Sequence, residues 1–295
     1  MAAWTDGYWW SNDGLRLHYR EHSGPADRPP IICIPGLTRN ARDFEGVAAR
    51  LSPEWRVICV DLRGRGESAY AKDAMSYMPL TYLQDIEALL RALKLERFIL
   101  FGTSLGGLVT MLLSMSNGGR LAGAVINDIG PEIDDAGLDR IRGYVGRSQS
   151  WPTWMHAARY FAEAQRAIFP KWNLEDWLTF AKRVCKLNAS GRVVFDYDMR
   201  IGDPLRLPGG ETGFDPWLAF RGLKDVPLLI VRGANSDLLT ADTLARMHAE
   251  MPQMESATVP DTGHAPTLDE PEAVEAIERL LARIAPTARS GQNPL

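Results

Sequence analysis

Short runs of consecutive apolar residues, each ended by a turn-forming or polar residue, are the feature that most constrains the fold of this chain. The clearest runs are 31–34, 57–60, 98–101, 124–126 and 227–231, and 256–259 is a weaker sixth. A strand whose side chains are all apolar must be covered on both faces, which is the situation of a parallel sheet. The chain is therefore predicted to contain a mostly parallel sheet between two layers of helices.

Helical patterns and one hairpin complete this architecture. Apolar residues recur at spacings of three and four in 82–93 and in 274–284, and 105–115 is an apolar helix that follows the third run. Thr81 and Gln84 have the spacing of a capping box. At the front of the chain, two strand-like stretches, 7–11 and 15–21, flank Asn12-Asp13-Gly14, which favours a hairpin turn. Strand–helix alternation after a hairpin predicts an α/β fold.

One long interval breaks the alternation. Residues 131–225 contain no run of the buried-strand type but are rich in tryptophan and phenylalanine, with helical patterns in 154–168 and 174–187. Loop signals follow at Gly202-Asp203-Pro204 and Pro208-Gly209-Gly210. We expect 131–225 to form a mainly helical insertion, with 1–130 and 226–295 forming the core. The tail from Pro286 is expected to be frayed.

Composition excludes several classes of protein. The chain has 33 Lys+Arg and 37 Asp+Glu, for a net charge of −4, which argues against nucleic acid or an anionic membrane as a partner. Its apolar runs are far shorter than the roughly 20 residues that cross a bilayer, and its first residues do not resemble a signal peptide. The 3 cysteines show no C-x-x-C pattern, which excludes a disulfide scaffold and the common zinc motifs. A reducing, cytoplasmic location is expected.

The sharpest motif is Gly102-Thr103-Ser104-Leu105-Gly106-Gly107, which lies between an apolar strand and an apolar helix. A serine on so tight a turn is exposed, and the positions two before and two after it have room only for very small residues. The helix that follows directs its free N–H groups toward a developing negative charge. An ordinary glycine-rich turn is the alternative, and the strand–turn–helix context argues against it. The motif therefore indicates that Ser104 is a nucleophile.

A nucleophilic serine needs a base and an acid that orients this base. Of the 5 histidines, only His264 lies in a loop directly after a late strand. Asp237 also follows a strand and preserves the chain order Ser, Asp, His, so we prefer it as the acid. Asp128, which ends the run 124–126, is the rival, with helix capping or anchoring of the insertion as its alternative role.

With these motifs, the chain resembles an enzyme of the α/β-hydrolase fold with a cap domain, along nearly its whole length. The resemblance implies an eight-stranded, mostly parallel sheet with a helical cap inserted after the sixth strand. Ile34-Pro35-Gly36-Leu37 resembles the oxyanion loop of the family, where many members have His-Gly. The resemblance then implies an oxyanion hole made by the N–H groups of Leu37 and Leu105, with no metal and no organic cofactor.

A second motif imitates a nucleotide site. Gly64-x-Gly66-x-x-Ala69 follows a strand, and Asp85 lies downstream as in a dinucleotide fingerprint. That fingerprint requires a helix to open at the glycines, whereas 70–79 is polar and ends in proline. We therefore interpret 61–68 as the structural turn that the family has after its fourth strand.

The resemblance also limits the reaction. Relatives with aspartate at the nucleophile position, the haloalkane dehalogenases and epoxide hydrolases, do not match Ser104. A carboxylesterase or lactonase acting on a small ester or lactone with an apolar moiety is expected, because the aromatic insertion favours an apolar group. Alternatives are a C–C bond hydrolase of ring-fission products, for which Arg39, Arg42 and arginines of the insertion offer cationic partners, a cofactor-free perhydrolase and a ligand-binding receptor. The sequence leaves the oligomeric state open.

Overall fold

A computed structural model describes residues 4–206 and 215–284. In chain order the strands are β1 (Thr5–Trp10), β2 (Arg16–His22), β3 (Ile31–Ile34), β4 (Val57–Asp61), β5 (Phe98–Thr103), β6 (Leu121–Asn127), β7 (Ser150–Trp151), β8 (Cys185–Leu187), β9 (Val193–Phe195), β10 (Leu228–Gly233) and β11 (Glu255–Val259). The α-helices are α1 (Glu45–Leu51), α2 (Pro79–Ala92), α3 (Leu105–Asn117), α4 (Asp135–Tyr144), α5 (Trp154–Gln165), α6 (Leu174–Val184), α7 (Pro216–Arg221), α8 (Ala241–Glu250) and α9 (Pro271–Ile284).

The central sheet has eight strands in the order β1-β2-β4-β3-β5-β6-β10-β11. β1 pairs antiparallel with β2, and β2 with β4, while every other pair in this sheet is parallel. Every residue of β3, β4 and β6 is buried, which explains their unbroken apolar sequences. The expected eight-stranded, mostly parallel sheet is therefore confirmed. The turn at Asn12-Asp13-Gly14 does join β1 to β2, and Gly14 supplies a φ of +78°.

Two hydrophobic layers cover the faces of this sheet. Side chains alternate between them along each strand, so that Ile32 and Ile34 join the layer under α2 and α3, whereas Ile31 and Cys33 join the layer under α1 and α9. Cys33 pairs with Cys59 across β3 and β4, and both thiols are free and buried, as expected for small apolar side chains. The carboxyl ends of the parallel strands are left as the edge at which loops converge.

Between β6 and β10 the chain forms α4 to α7 together with a small antiparallel sheet in the order β7-β9-β8. The pattern at 174–187 was predicted to be helical throughout, but α6 ends at Val184 and 185–187 is a strand. Residues 185–187 pair with β9, which begins a few residues later and lies outside the interval 174–187, so the periodicity within that interval carried no sign of this pairing. Pro208-Gly209-Gly210 and the tail from Pro286 lie outside the described residues.

Two other details differ from or extend the sequence predictions. α2 begins at Pro79 rather than at the capping box of Thr81, because Pro79 takes the first helical position, where its missing N–H costs nothing. No helix opens at Gly64 or Gly66; a Cβ on Gly66 would lie 2.4 Å from the carboxylate of Asp61, so this turn is packed against protein.

Among residues 4–206 and 215–284, no helix is long and apolar enough to cross a membrane.

Candidate active site

Ser104 lies on a sharp turn between β5 and α3. Its backbone has φ 52° and ψ −115°, a region that a serine rarely adopts. The turn is possible because its flanks have no side chains: a Cβ on Gly102 would lie 2.3 Å from the Gly106 carbonyl oxygen, and one on Gly106 would lie 2.0 Å from that of Ile34. The steric reason for reading this motif as a nucleophile turn therefore holds in the structure.

His264 contacts Ser104 from the loop after β11. Its Nε2 lies 2.9 Å from Ser104 Oγ, and its Nδ1 lies 2.8 Å from Asp128 Oδ2. With the imidazole proton on Nδ1, that N–H donates to the carboxylate, and Nε2 accepts from the serine hydroxyl. The loop is held in place in part by the N–H of Gly263, which donates to the carbonyl of Ile168 at 2.8 Å. The pairing of Ser104 with His264 thus follows the sequence prediction in its geometry.

Asp128 is the carboxylate in contact with His264. It follows β6 directly, its side chain is fully buried, and its φ is 57°. Oδ1 accepts from the N–H of Gly233 at 2.8 Å, and Oδ2 accepts from the hydroxyl of Ser236 at 2.7 Å as well as from His264. These hydrogen bonds replace the ones that the carboxylate would form with water if it were exposed.

The preference for Asp237 as the partner of His264 is corrected by this geometry. The Asp237 carboxylate instead forms a two-pronged ion pair with Arg140 of α4, with Nε to Oδ2 at 2.5 Å and Nη2 to Oδ1 at 2.8 Å. Partial burial would raise the pKa of Asp237, but the Arg140 guanidinium outweighs it and holds the pKa below its usual value. In the turn after β10, Ser236 is the residue that reaches the Asp128–His264 pair.

Sheet order explains why Asp128 lies where Asp237 was expected. β6 is the neighbour of β5, and Thr103 pairs with Asn127, so the residues that follow these two strands, Ser104 and Asp128, emerge side by side. β10 lies one strand further away. The sequence contained this signal, because Asp128 directly follows the strand that comes next in the chain. The order Ser, Asp, His holds for Asp128 as well as for Asp237 and so could not distinguish them.

The predicted oxyanion residues, Leu37 and Leu105, both lie next to Ser104, one in the cavity wall and the other as the following residue in the chain. Leu37 lies beside Ser104 in the wall of a cavity, and its N–H has no acceptor among the described residues. Leu105 is the first residue of α3, where a backbone N–H has no partner within the helix. The Leu37 carbonyl is held by the buried Arg65, whose Nε donates to it at 2.8 Å. Sequence analysis missed this contribution of Arg65.

A cavity of about 480 Å³ opens above Ser104 and His264. Its far wall comes from the interval between β6 and β10 and is largely aromatic, with Tyr144, Tyr160, Phe161, Phe169, Trp172, Phe180, Phe195 and Tyr197. Many of these rings also contact one another; Phe169 and Trp172 are stacked with centroids 3.9 Å apart. These aromatic residues therefore both pack inside this segment and line the space above Ser104. The sequence alone did not show which of them would face the cavity.

Four arginines reach the same cavity: Arg39, Arg140, Arg147 and Arg183. Arg39 forms an ion pair with Asp43, with distances of 2.6 and 2.7 Å, and its guanidinium lies over the ring of Phe180. Arg42, which was considered with Arg39 as a cationic partner, does not line the cavity and instead pairs with Asp196 at 2.6 Å.

The chain is similar to known hydrolases over most of its length. The 3-hydroxybutyrate-oligomer hydrolase of Cupriavidus necator is 33% identical over 265 residues, which cover 87% of this chain and 89% of that protein. The 2-(acetamidomethylene)succinate hydrolase of Mesorhizobium japonicum is 27% identical over 254 residues, 85% of either chain. The crystal structure of an α/β hydrolase from Novosphingobium aromaticivorans superposes with a TM-score of 0.92 at 55% identity, covering 96% of this chain and 99% of that one.

These relatives are hydrolases, and their similarity extends over both the sheet and the segment that carries the aromatic wall. The model of the alpha/beta hydrolase family matches residues 31–277, from the third strand to the last helix. That range contains Ser104, Asp128 and His264 together with the oxyanion loop. The chain belongs to the alpha/beta hydrolase family.

Proposed function

We propose that the protein hydrolyses carboxylic esters through a covalent acyl-enzyme on Ser104. The observation that carries this proposal is the unbroken chain of hydrogen bonds from Asp128 through His264 to Ser104 Oγ, with lengths of 2.8 and 2.9 Å. A serine so placed is activated by the adjacent base, and the base is held in one tautomer by the acid.

The reaction follows from this arrangement. His264 Nε2 takes the hydroxyl proton as Ser104 Oγ attacks the acyl carbon, and the carbonyl oxygen becomes an oxyanion beside the N–H groups of Leu37 and Leu105. The imidazolium then gives its proton to the departing alkoxide. The alcohol leaves, and the acyl group remains bound to Ser104. Water, deprotonated by His264, attacks the acyl carbon. The bond to Ser104 Oγ then breaks, the imidazolium returns the proton to Oγ, and the acid is released. Asp128 stabilises the imidazolium in both halves and does not itself take up the proton.

The cavity and the relatives indicate the substrate class. A volume of about 480 Å³ with an aromatic wall suits a small ester or lactone that has an apolar moiety. The relative from Cupriavidus necator is named for hydrolysis of 3-hydroxybutyrate oligomers. Such oligomers are short chains of ester bonds between small hydroxy acids, so ester cleavage is the chemistry that the proposed triad and this relative have in common.

We further propose that residues 131–225 act as a cap over the active site. The support is that α4, α5 and α6 contribute cavity residues such as Tyr144, Tyr160 and Phe180, while Ser104, Leu37 and His264 come from the sheet side. In this interpretation, the cap determines which acyl and alkyl groups fit, and the core supplies the chemistry.

The experiment that tests the ester hydrolase proposal compares the wild type with Ser104→Ala on p-nitrophenyl esters of increasing acyl length. Wild-type turnover that falls by roughly 10³-fold or more in Ser104→Ala supports it, since removal of a serine nucleophile disables both half-reactions. Ser190→Ala is the matched control, because Ser190 is exposed and does not line the cavity, and it should retain wild-type activity. Turnover that survives Ser104→Ala refutes the proposal, and binding without turnover favours a receptor.

A further inference from the structure

The walls of the cavity carry more positive charge than the chain as a whole would suggest. The chain has a net charge of −4, yet within 4–206 and 215–284 the residues that line the cavity include four arginines and one acidic residue, Asp43. Asp43 neutralises Arg39, and Asp237, from outside the lining, neutralises Arg140. Two cationic side chains, Arg147 and Arg183, remain to be explained.

Neither of these two arginines has an acidic partner among residues 4–206 and 215–284. The side chain of Arg183 is only partly exposed, and its Nε is buried with no hydrogen-bond acceptor in the described part of the chain. An N–H group of a charged side chain that is buried without an acceptor lowers stability, so it needs a compensating function. Arg147 lies in a more exposed stretch just after α4.

Arg183 is also held firmly at its backbone. Its carbonyl oxygen accepts hydrogen bonds from the side-chain amide of Asn40 at 2.9 Å and from Nε of Arg42 at 3.0 Å. Both donors belong to the segment after β3, which also carries the oxyanion residue Leu37. The base of the Arg183 side chain is thus fixed relative to the segment that forms the oxyanion loop. Such preorganisation lowers the entropic cost of using the guanidinium in binding.

We propose that Arg183, assisted by Arg147, forms a carboxylate-binding subsite, so that the preferred substrates are esters that carry a free carboxylate at the end remote from the scissile bond. This inference rests on the proposed ester hydrolase function. The planar guanidinium matches a carboxylate with two parallel hydrogen bonds, and the aromatic wall accommodates the apolar chain between the carboxylate and the ester. With most of the wall apolar, the site suits one carboxylate better than a more strongly hydrated phosphate dianion.

The experiment measures kcat/KM for two matched pairs of substrates. In the first pair, the carboxylate is on the acyl side. The two substrates are monoethyl glutarate and the neutral ester obtained when its free carboxylic acid is replaced by a primary amide. In the second pair, it is on the alcohol side: 3-(butanoyloxy)propanoic acid and its primary amide. We expect the acid of at least one pair to be preferred by roughly tenfold or more, the usual contribution of a hydrogen bond to a charged group. Equal values within both pairs would overturn the proposal.

Arg183→Gln should remove most of this preference, lowering kcat/KM for the acid by roughly tenfold or more and for the amide by clearly less. Activity on the amide also shows that the variant is folded. Arg147→Gln should have a smaller effect that weakens with added salt, because its charge is more exposed. Arg159→Gln is the control, since Arg159 is an exposed arginine of α5 that does not line the cavity. An equal loss on acid and amide in Arg183→Gln contradicts the proposal.

A binding measurement separates this proposal from the proposed function. In the Ser104→Ala background, calorimetry should show that 3-(butanoyloxy)propanoic acid or monoethyl glutarate binds at least roughly tenfold more tightly than its amide, and that Arg183→Gln abolishes the difference. Tight binding without wild-type turnover would support the subsite while refuting ester hydrolysis. Turnover of the neutral esters with no difference in binding would refute the subsite alone.

Discussion

At the scale of single residues, the site depends on a carboxylate that is completely enclosed. Asp128 is fully buried and accepts from Gly233, Ser236 and His264, whereas Asp237 is partly exposed and bound to Arg140. Their surroundings suit different tasks. A buried carboxylate beside Nδ1 fixes the tautomer of a catalytic histidine, while a carboxylate bound to arginine can join two parts of the chain.

We expect Asp128→Asn to lower kcat by about 10³- to 10⁴-fold, because an amide no longer holds the Nδ1-protonated tautomer or stabilises the imidazolium. Steady-state hydrolysis of a p-nitrophenyl ester, with circular dichroism to verify folding, measures this effect. Asp237→Asn is the matched comparison and should change kcat by less than about tenfold. The reverse order of the two effects would show that Asp237 is the acid of the triad.

The sequence could predict the residues that we propose as nucleophile and base, but not the residue that we propose as acid. Ser104 is predictable because the crowded glycines on either side of it form a local sequence pattern. His264 is predictable because it lies in a loop directly after a late strand, which is also a local pattern. The choice between Asp128 and Asp237 depends on which strand lies next to β5 and on which residue of the turn after β10 faces inward. Both are facts of tertiary structure.

At the scale of elements, the last residue of β4, Asp61, connects the front hairpin to the segment that follows β3. His18 of β2 is buried and lies between two carboxylates, with Nδ1 2.7 Å from Asp61 and Nε2 3.0 Å from Asp6. Asp61 also accepts from the N–H of Ala41 at 2.7 Å and of Glu67 at 3.0 Å. Burial by itself would lower the pKa of His18, but Asp61 and Asp6 outweigh it and raise the pKa above its usual value.

This raised pKa predicts a pH-dependent contribution to stability. A histidine whose pKa is higher in the folded than in the unfolded protein stabilises the fold fully below its unfolded pKa, and the effect fades as pH rises through the folded pKa. We expect His18→Gln to lower the free energy of unfolding by about 1–3 kcal/mol near pH 6, and by less above pH 8. Urea unfolding at several pH values measures it.

The control for this prediction is His156→Gln. His156 is exposed at the start of α5 and its Nδ1 contacts the hydroxyl of Thr153 rather than a carboxylate. Its substitution should change stability little, by an amount that does not depend on pH. A destabilisation in His18→Gln that stays constant from pH 6 to above pH 8 would mean that the protonated imidazole has no special role in the folded state.

At the scale of the whole molecule, the hydrophobic core of the sheet and that of the segment between β6 and β10 lie on either side of the cavity above Ser104. The sheet has its own two layers, and the segment between β6 and β10 has a separate cluster that includes Trp151, Phe161, Trp177 and Phe180. Ion pairs join the two, among them Arg140 with Asp237 and Arg42 with Asp196. The cavity above Ser104 lies along this junction, so its shape is determined by both parts.

The sheet was predictable and the segment between β6 and β10 was only partly so, for one physical reason. A strand buried on both faces leaves a continuous apolar run in the sequence, and the positions of β3 and β4 could be read from it. The strands β7, β8 and β9 have only two or three residues each, and β7 pairs with residues of β9 that are far from it in the chain. Periodicity within a short window carries no record of such pairing.

The central claim is that Ser104 forms the covalent intermediate, and labelling with diethyl p-nitrophenyl phosphate tests it most directly. Attack by Ser104 Oγ on phosphorus should expel p-nitrophenolate stoichiometrically and leave a diethylphosphoryl group on Ser104, located by peptide mass spectrometry. Labelling should be absent in Ser104→Ala, much slower in Asp128→Asn and nearly unchanged in Asp237→Asn, with loss of ester hydrolysis in parallel. A label on another residue, or ester hydrolysis that persists after Ser104 is fully labelled, would contradict the account.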